Sequence, residues 1–333
     1  MIESIEFKNF KVLRDAKLPL SRCTVLIGPN GTGKTTVLQA LQAVREPARY
    51  PFAAVRSYLP LGEEVEVCVN FGPPHLGVHF VAEWYRAKGT QLGLRFSRGV
   101  EECPEGPALQ RGVRRNRVFA FEGRAIARPA AVAANIELGE NGANLAAVLD
   151  DIRDTDAERF TAINCALGQW LPEFKSILFA KPEQGSKSLM LQTRKEGVSV
   201  PDNDLSQGTL IALAMLTLAY LPKPPALIGI EEPDRGVHPR LLRLVQDAIY
   251  RLCYPESCGE KREPVQVIVT THSPYFLDLF KDRPEEVVIA NRVGMEAKFV
   301  RLSDHPNIEE ILSGAPLGEI WYSGILGGVP SEP

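Results

Sequence analysis

Apolar and polar positions change period several times along this chain, and each change marks a different kind of element. The opening MIESIEFKNFKVL alternates like a strand with one buried face, and residues 2–27 hold two or three strands. Thr24 to Ile27 (TVLI) is continuously apolar, as in a strand buried on both faces. From Thr36 (TVLQALQAV) the spacing becomes helical, to about Arg45. Alternation returns over 62–100, through Val65, Val67 and Val69, then His79 to Tyr85 and Leu92 to Phe96. Between Glu101 and Arg128 prolines, glycines and arginines break the pattern, which predicts loops and an irregular connection. Residues 142–170 predict helix, with Leu145, Val148, Leu149 and Ile152 on one face, and 176–200 a hairpin pair. Leu205-Ser206 opens a strongly apolar helix, Ala226 to Ile230 (ALIGI) is a short buried strand, and Pro239 to Leu252 is a helix. Val265 to Thr270 (VQVIVT) is a second buried strand, followed by a hairpin over Val287–Ala290 and Lys298–Leu302. Buried strands alternating with helices predict an α/β fold with a largely parallel sheet covered on both faces.

Bulk properties narrow the function classes. The 333 residues suffice for one large domain or two modest ones, and 44% hydrophobic with 24% charged residues is ordinary for a soluble globular protein. A net charge of −3 gives no global basic field, so any nucleic-acid contact needs a local patch. The densest basic run is Arg111, Arg114, Arg115 and Arg117. Nearby Glu101, Glu102 and Glu105, and the lack of interleaved aromatics, favour a solvated loop over a DNA or RNA phosphate contact. The six cysteines form no CxxC pair and read as reduced thiols of a cytoplasmic protein, without zinc-ligand spacing. The N-terminus lacks a signal peptide's apolar run, and Leu210–Leu221 is too short to span a bilayer, so no membrane segment is expected.

The strongest chemical signal lies between the first buried strand and the first helix. Gly28-Pro29-Asn30-Gly31-Thr32-Gly33-Lys34-Thr35 fits the phosphate-binding loop, two glycines five apart followed by Lys and Thr. Glycine lets the backbone turn its N–H groups toward a phosphate, and the helix N-terminus adds donors and a favourable dipole, so Asn30 through Thr36 form the cradle. Lys34 supplies a positive charge for the outer phosphates, and the Thr35 hydroxyl is a ligand for Mg²⁺. Three further features sit at strand or helix ends. ALIGI runs into Glu231, which would hold Mg²⁺ directly or through water, and Glu232, which would orient and polarise the attacking water. His272 follows VQVIVTT, where an imidazole can donate to a γ-phosphate. Ser206 in LSQGT caps the apolar helix and makes an anion site, with Gly208 permitting close backbone approach. Lys11 or Asn9, in FKNFK, is a candidate to reach the nucleotide from a neighbouring strand; the alternative there is an exposed edge strand. His238 in the turn EEPDRGVHP reads as structural or interfacial.

Together FKNFKVLRD, VLIGPNGTGKTTVLQAL, NGANLAAVLDDI, LSQGTL, LIGIEEPDRGVHP, VIVTTHSPYFLD and LGEIWYSGILGG resemble the RecF/SMC-like branch of ABC-type ATPases. They are most similar to small stand-alone ATPases related to the overcoming-lysogenization-defect (OLD) proteins. The resemblance implies a P-loop ATPase head over 1–333, with an antiparallel β-lobe and a small helical lobe. About 1–60 and 176–333 would form the nucleotide-binding core, about 62–100 the β-lobe, and about 101–175 the irregular segment and helical lobe. It implies ATP and Mg²⁺ as ligands and a head-to-head homodimer, each ATP held by the phosphate loop of one copy and capped by Ser206 and Gly208 of the other. It also implies a role in DNA metabolism or phage defence, through DNA or a separately encoded effector such as a nuclease or toxin. The alternative is a nucleotide-gated regulator with little turnover. Gln207 stands where relatives often carry Asp or Gly, Asp234-Arg235 where Glu-Asn is commoner, and Glu231 where many have Asp. Neither Gln42 nor Gln110 sits in a convincing Q-loop context, which points to slow or partner-stimulated hydrolysis. Residues 36–204 are too few for a long coiled coil, and no acidic DxD cluster follows His272, so no intrinsic Toprim nuclease is expected.

Overall fold

A computed structural model of the protein describes residues 1–57, 64–86, 92–98, 103–134, 136–294 and 296–326. Glu101 and Glu102 of the expected counter-charges, and Gly327-Gly328 of the C-terminal motif, lie outside them. The chain forms two compact units, one of Met1–Val118, Pro225–Glu231 and Cys253–Pro333, the other of Phe119–Pro224 and Glu232–Leu252.

The first unit is built on two sheets. One has the spatial order Glu296–Arg301, Val287–Val293, Cys23–Ile27, Gln266–Thr271, Leu227–Glu231 and Arg117–Phe119. Its four central strands run parallel, and Glu296–Arg301 closes one edge antiparallel. All five residues of Cys23–Ile27 and all six of Gln266–Thr271 are buried, which is why these strands read as largely apolar without alternation. Register aligns the strand ends: Ile27 is opposite Thr271, and Thr270 is opposite Glu231. Three strands therefore end together at one sheet edge, which is where ligands bind in parallel α/β sheets.

The second sheet is antiparallel, in the order Leu13–Pro19, Ile2–Phe10, Glu64–Phe71, His79–Arg86 and Leu92–Arg98. Alternation puts Ile5, Phe7, Val65, Val67 and Val69 on its buried face. That face shares one core with Leu38, Leu41 and Val44 of the helix Lys34–Arg45, and with Leu26, Leu227 and Ile268 of the parallel sheet. The helix leaving the phosphate loop is thus anchored by apolar residues of both sheets, with Trp84 packed edge-on against Phe10 at 6.2 Å.

Residues 101–128 depart from the expected irregular connection. A helix spans Gly106–Arg114, a strand Arg117–Phe119 and a short helix Gly123–Ile126. The helix is mostly solvated and buries only Gly106 and Val113, with Leu109 half-buried against the core, so its apolar stripe is a single short pair, Leu109 and Val113. Pro107 sits in its first turn, where a missing N–H costs nothing. Its end is fastened by Asn116, fully buried, whose Nδ2 donates to Leu41 O (2.9 Å) and Val113 O (2.8 Å). Arg111, Arg114 and Arg115 are exposed as the solvated reading expects, but the run is not a loop: Arg111 and Arg114 lie on the helix, and Arg117, half-buried, opens the strand.

The second unit holds the helices Leu145–Thr155, Ala157–Trp170 and Gln207–Ala219, and a hairpin of Phe174–Ala180 with Ser186–Thr193, extended by Ser199–Pro201. Leu145, Val148, Leu149 and Ile152 are buried as their spacing predicts. The helix Gln207–Ala219 is buried on all sides from Leu210 to Ala219, hence its lack of a polar face. Asp202, 3% exposed, accepts from the backbone N–H of Leu189 and Asn203, while burial pushes its carboxyl above the usual range. The predicted helix from Pro239 begins as a 3₁₀ turn and becomes α-helical over Leu242–Cys253.

Candidate nucleotide site

In the first unit, strand Cys23–Ile27 turns directly into the phosphate loop. A Cβ on Gly28 would lie 2.1 Å from the carbonyl oxygen of Ala290 in the next strand, so only glycine fits. Gly31 (φ 78°) and Gly33 (φ 97°) adopt left-handed backbone, and a Cβ on Gly33 would meet Leu13 Cδ2 at 2.6 Å. Asn30 and Gly31 lie exposed at the loop tip. Thr32 Oγ1 donates to Pro29 O at 2.9 Å and ties the turn together. Gly33 is the N-cap of the helix, and Thr36 lies in its first turn, where N–H groups have no intrahelical partner. Lys34 is 5% exposed, and its Nζ curls back to Gly28 O (2.7 Å) and Pro29 O (2.9 Å), the geometry of an ammonium held over the loop.

Across the sheet edge, Thr35 Oγ1 donates to Glu231 Oε1 at 2.7 Å. A hydroxyl and a carboxylate, 196 residues apart in the chain, meet as a pair of hard oxygen ligands of the kind Mg²⁺ takes. The donor set therefore fits a divalent cation beside the phosphate loop. Glu232, the next residue, has φ 43°, a left-handed conformation rare for a residue with a side chain. Such strain costs about 1–3 kcal/mol and collects at functional positions.

His272 extends from Thr271, the ladder partner of Ile27, so the imidazole's backbone leaves the sheet beside Gly28. Thr271 Oγ1 accepts from Ser273 N at 3.0 Å, and Ser273 Oγ accepts from Phe276 N at 3.2 Å, fixing the THSP turn behind it. Lys11 sits at φ 51° in the turn between the first two strands. Its Nζ donates to Gln39 Oε1 at 2.8 Å on the helix after the loop, and burial lowers its pKa. Asn9 Nδ2 donates instead to Glu64 O at 3.0 Å. Gln42 Oε1 accepts from Tyr50 Oη at 3.0 Å, a contact within this unit's helical flank.

In the second unit, Ser206 is the N-cap of Gln207–Ala219, its Oγ accepting from Thr209 N at 3.1 Å and lying 2.8 Å from Thr209 Oγ1. Ser206→Ala is expected to cost about 1 kcal/mol of stability, read as a lowered denaturant midpoint. Sequence reasoning passed over Gly236. Its left-handed turn (φ 72°) brings its carbonyl to Gly208, where a Cβ would approach to 2.5 Å. The turn after the carboxylates therefore packs on the start of the helix Gln207–Ala219 through two glycines, signalled only by the DRG triplet. His238 Nδ1 accepts from Arg240 N at 3.2 Å, a structural cap as expected. The NGAN motif is a turn: Asn144 Oδ1 accepts from Gly139 N (2.7 Å), its Nδ2 donates to Glu137 O (2.8 Å), and Gly142 has φ 79°.

Residues 101–278, more than half of the chain, match the family model described as "AAA domain, putative AbiEii toxin, Type IV TA system". The protein belongs to this AAA family. Residues 1–72, which carry the phosphate loop, match the AAA ATPase domain. Over 374 aligned positions the chain is 24% identical to the OLD nuclease of Thermus scotoductus (strain ATCC 700910 / SA-01), covering 96% of this chain and 68% of that protein. An SMC head solved with the C-winged helix domain of ScpA shares the fold, with a TM-score of 0.59 at 16% identity over 90% of this chain and 97% of that one. These findings and the sheet order describe a P-loop ATPase of the ABC/RecF type, related to OLD proteins. No helix among the described residues is long and apolar enough to cross a membrane.

Proposed function

We propose that this AAA-family protein hydrolyses ATP with Mg²⁺ and that ATP joins two copies head to head. The observation that carries the reading is the Thr35–Glu231 hydrogen bond at 2.7 Å, beside a loop in which a neighbouring carbonyl requires glycine at Gly28 and left-handed backbone favours it at Gly33. The backbone from Asn30 to Thr36 would cradle the phosphates, with the Lys34 ammonium on the outer ones. Thr35 and Glu231 would hold Mg²⁺, which when bound supplies charge neutralisation at the phosphates. Glu232 would orient the attacking water, and His272 would donate to the γ-phosphate. Lys11, steadied by Gln39, would approach from the adjoining turn. Ser206 and Gly208 would come from the second copy, where a helix N-terminus with its hydroxyl offers donors to the same γ-phosphate.

Loss of the γ-phosphate removes the bridging charge, so hydrolysis would loosen the dimer. That cycle suits a cytoplasmic switch acting on DNA, or on a separately encoded nuclease or toxin, in DNA metabolism or phage defence. The relatives point the same way, one being called a nuclease and the family description naming a toxin. A second reading is a nucleotide-gated regulator with little turnover. The engagement of Gln42 by Tyr50, and Gln207 in LSQGT where relatives often carry Asp or Gly, support it. Light scattering with ATP·Mg²⁺ and with ADP tests the shared core: the mass doubles only with ATP, and a monomer under both conditions overturns it.

A further inference from the structure

We propose that His75, Cys103 and Glu105 form a binding site for one zinc-class divalent cation, on the first unit and separate from the phosphate loop. Among the described residues their ligating atoms converge to within 4.8 Å of one another. They come from two stretches of chain. His75 lies in the connection between the strands Glu64–Phe71 and His79–Arg86, while Cys103 and Glu105 immediately precede the helix Gly106–Arg114. Spacing along the sequence hides such a site, because no two ligands form a CxxC or HxxxH pair.

Both stretches are braced by backbone hydrogen bonds. His75 N donates to Gly72 O (3.0 Å) and Val78 N to His75 O (3.1 Å); Gly106 N donates to Cys103 O (2.9 Å) and Ala108 N to Glu105 O (2.9 Å). Cys103 Sγ donates to Glu105 Oε2 at 3.2 Å, and this bond leads the causes that hold the Glu105 carboxyl below the usual range. One sulfur, one imidazole nitrogen and one carboxylate oxygen match the mixed donor sets zinc takes, with three protein ligands and a water in the fourth position. His75 and Cys103 are half-buried and Glu105 is exposed, which leaves one side of the cluster facing solvent for that water. Around a tetrahedral ion, donors sit roughly 3.3–3.7 Å apart, so side-chain rotation of about an ångström completes the site. Binding replaces the thiol S–H bond by a sulfur–metal bond, and the proton leaves to solvent. The ion would then pin the His75 connection to the start of the helix Gly106–Arg114, whose far end Asn116 fastens to the phosphate-loop helix.

The full chain, stripped of metal and kept in excess Mg²⁺ to occupy oxygen-only sites, is titrated with Zn²⁺ by calorimetry and with Co²⁺ by absorption. The expected result is one equivalent bound, with a sulfur-to-cobalt charge-transfer band. C103S removes the band, and H75A or E105Q weakens Zn²⁺ binding by more than about tenfold. C165S and C258S, at the two exposed cysteines elsewhere, leave both signals unchanged. Circular dichroism of the metal-free variants confirms that each is folded. No saturable binding, or wild-type affinity in C103S, overturns the proposal.

Discussion

Lys34→Ala is expected to abolish ATP binding. Lys34 is the cation proposed for the outer phosphates; it is 5% exposed, and its Nζ is held by the carbonyls of Gly28 and Pro29. A charge-assisted contact to phosphate in a buried setting is among the strongest single interactions a site can lose. Melting with and without ATP·Mg²⁺ reads the effect. Ligand at a hundred times its dissociation constant stabilises a protein by about 2.7 kcal/mol, and the corresponding shift in midpoint should vanish in the variant. Removing Nζ also deprives two loop carbonyls of a donor, so the nucleotide-free midpoint must be compared as well. Thr35→Ala is the companion variant, expected to keep the loop and lose the Mg²⁺ dependence of binding. Retention of the full ATP-induced shift in Lys34→Ala would show that the phosphates lie elsewhere.

Glu232→Gln is expected to lower ATP turnover by about 100-fold or more while leaving ATP binding intact, the usual scale for removing a general base. The amide keeps the length and shape of the carboxylate but cannot accept a proton, so ATP-joined dimers should accumulate and persist in light scattering. The backbone of Glu232 at φ 43° allows a sharper comparison. Glu232→Gly would relieve the left-handed strain and raise stability, yet lose turnover to a similar degree, separating the carboxylate's chemistry from its conformational cost. Wild-type turnover in Glu232→Gln would move the water-orienting role to another group and return weight to the regulatory reading.

Both variants rest on a site whose parts differ in how openly the sequence displays them. The phosphate loop was legible because its chemistry is local: two glycines, a lysine and a threonine in eight residues, between a buried strand and a helix. The strands TVLI, ALIGI and VQVIVT were legible because burial on both faces leaves mostly apolar residues, with Thr24, Gln266 and Thr270 the buried polar exceptions. The helix Gly106–Arg114 was not, since it buries only two residues and starts with the same proline and glycine that signal a loop. The pairing of Gly208 with Gly236 was equally hidden, because a glycine required by a distant carbonyl looks in sequence like any other.

By itself, then, the order of residues determined the α/β class, the phosphate loop and the carboxylates at the end of a buried strand, since each depends on neighbours within a few positions. Only the tertiary structure decided that Ile27 stands opposite Thr271 and Thr270 opposite Glu231, and that Thr35 therefore meets Glu231. It also decided that Lys11 turns to Gln39, and that His75 meets Cys103 and Glu105. The physical reason is strand register. Ladder hydrogen bonds join backbones hundreds of residues apart, and which of them align is settled by how the buried faces pack in three dimensions.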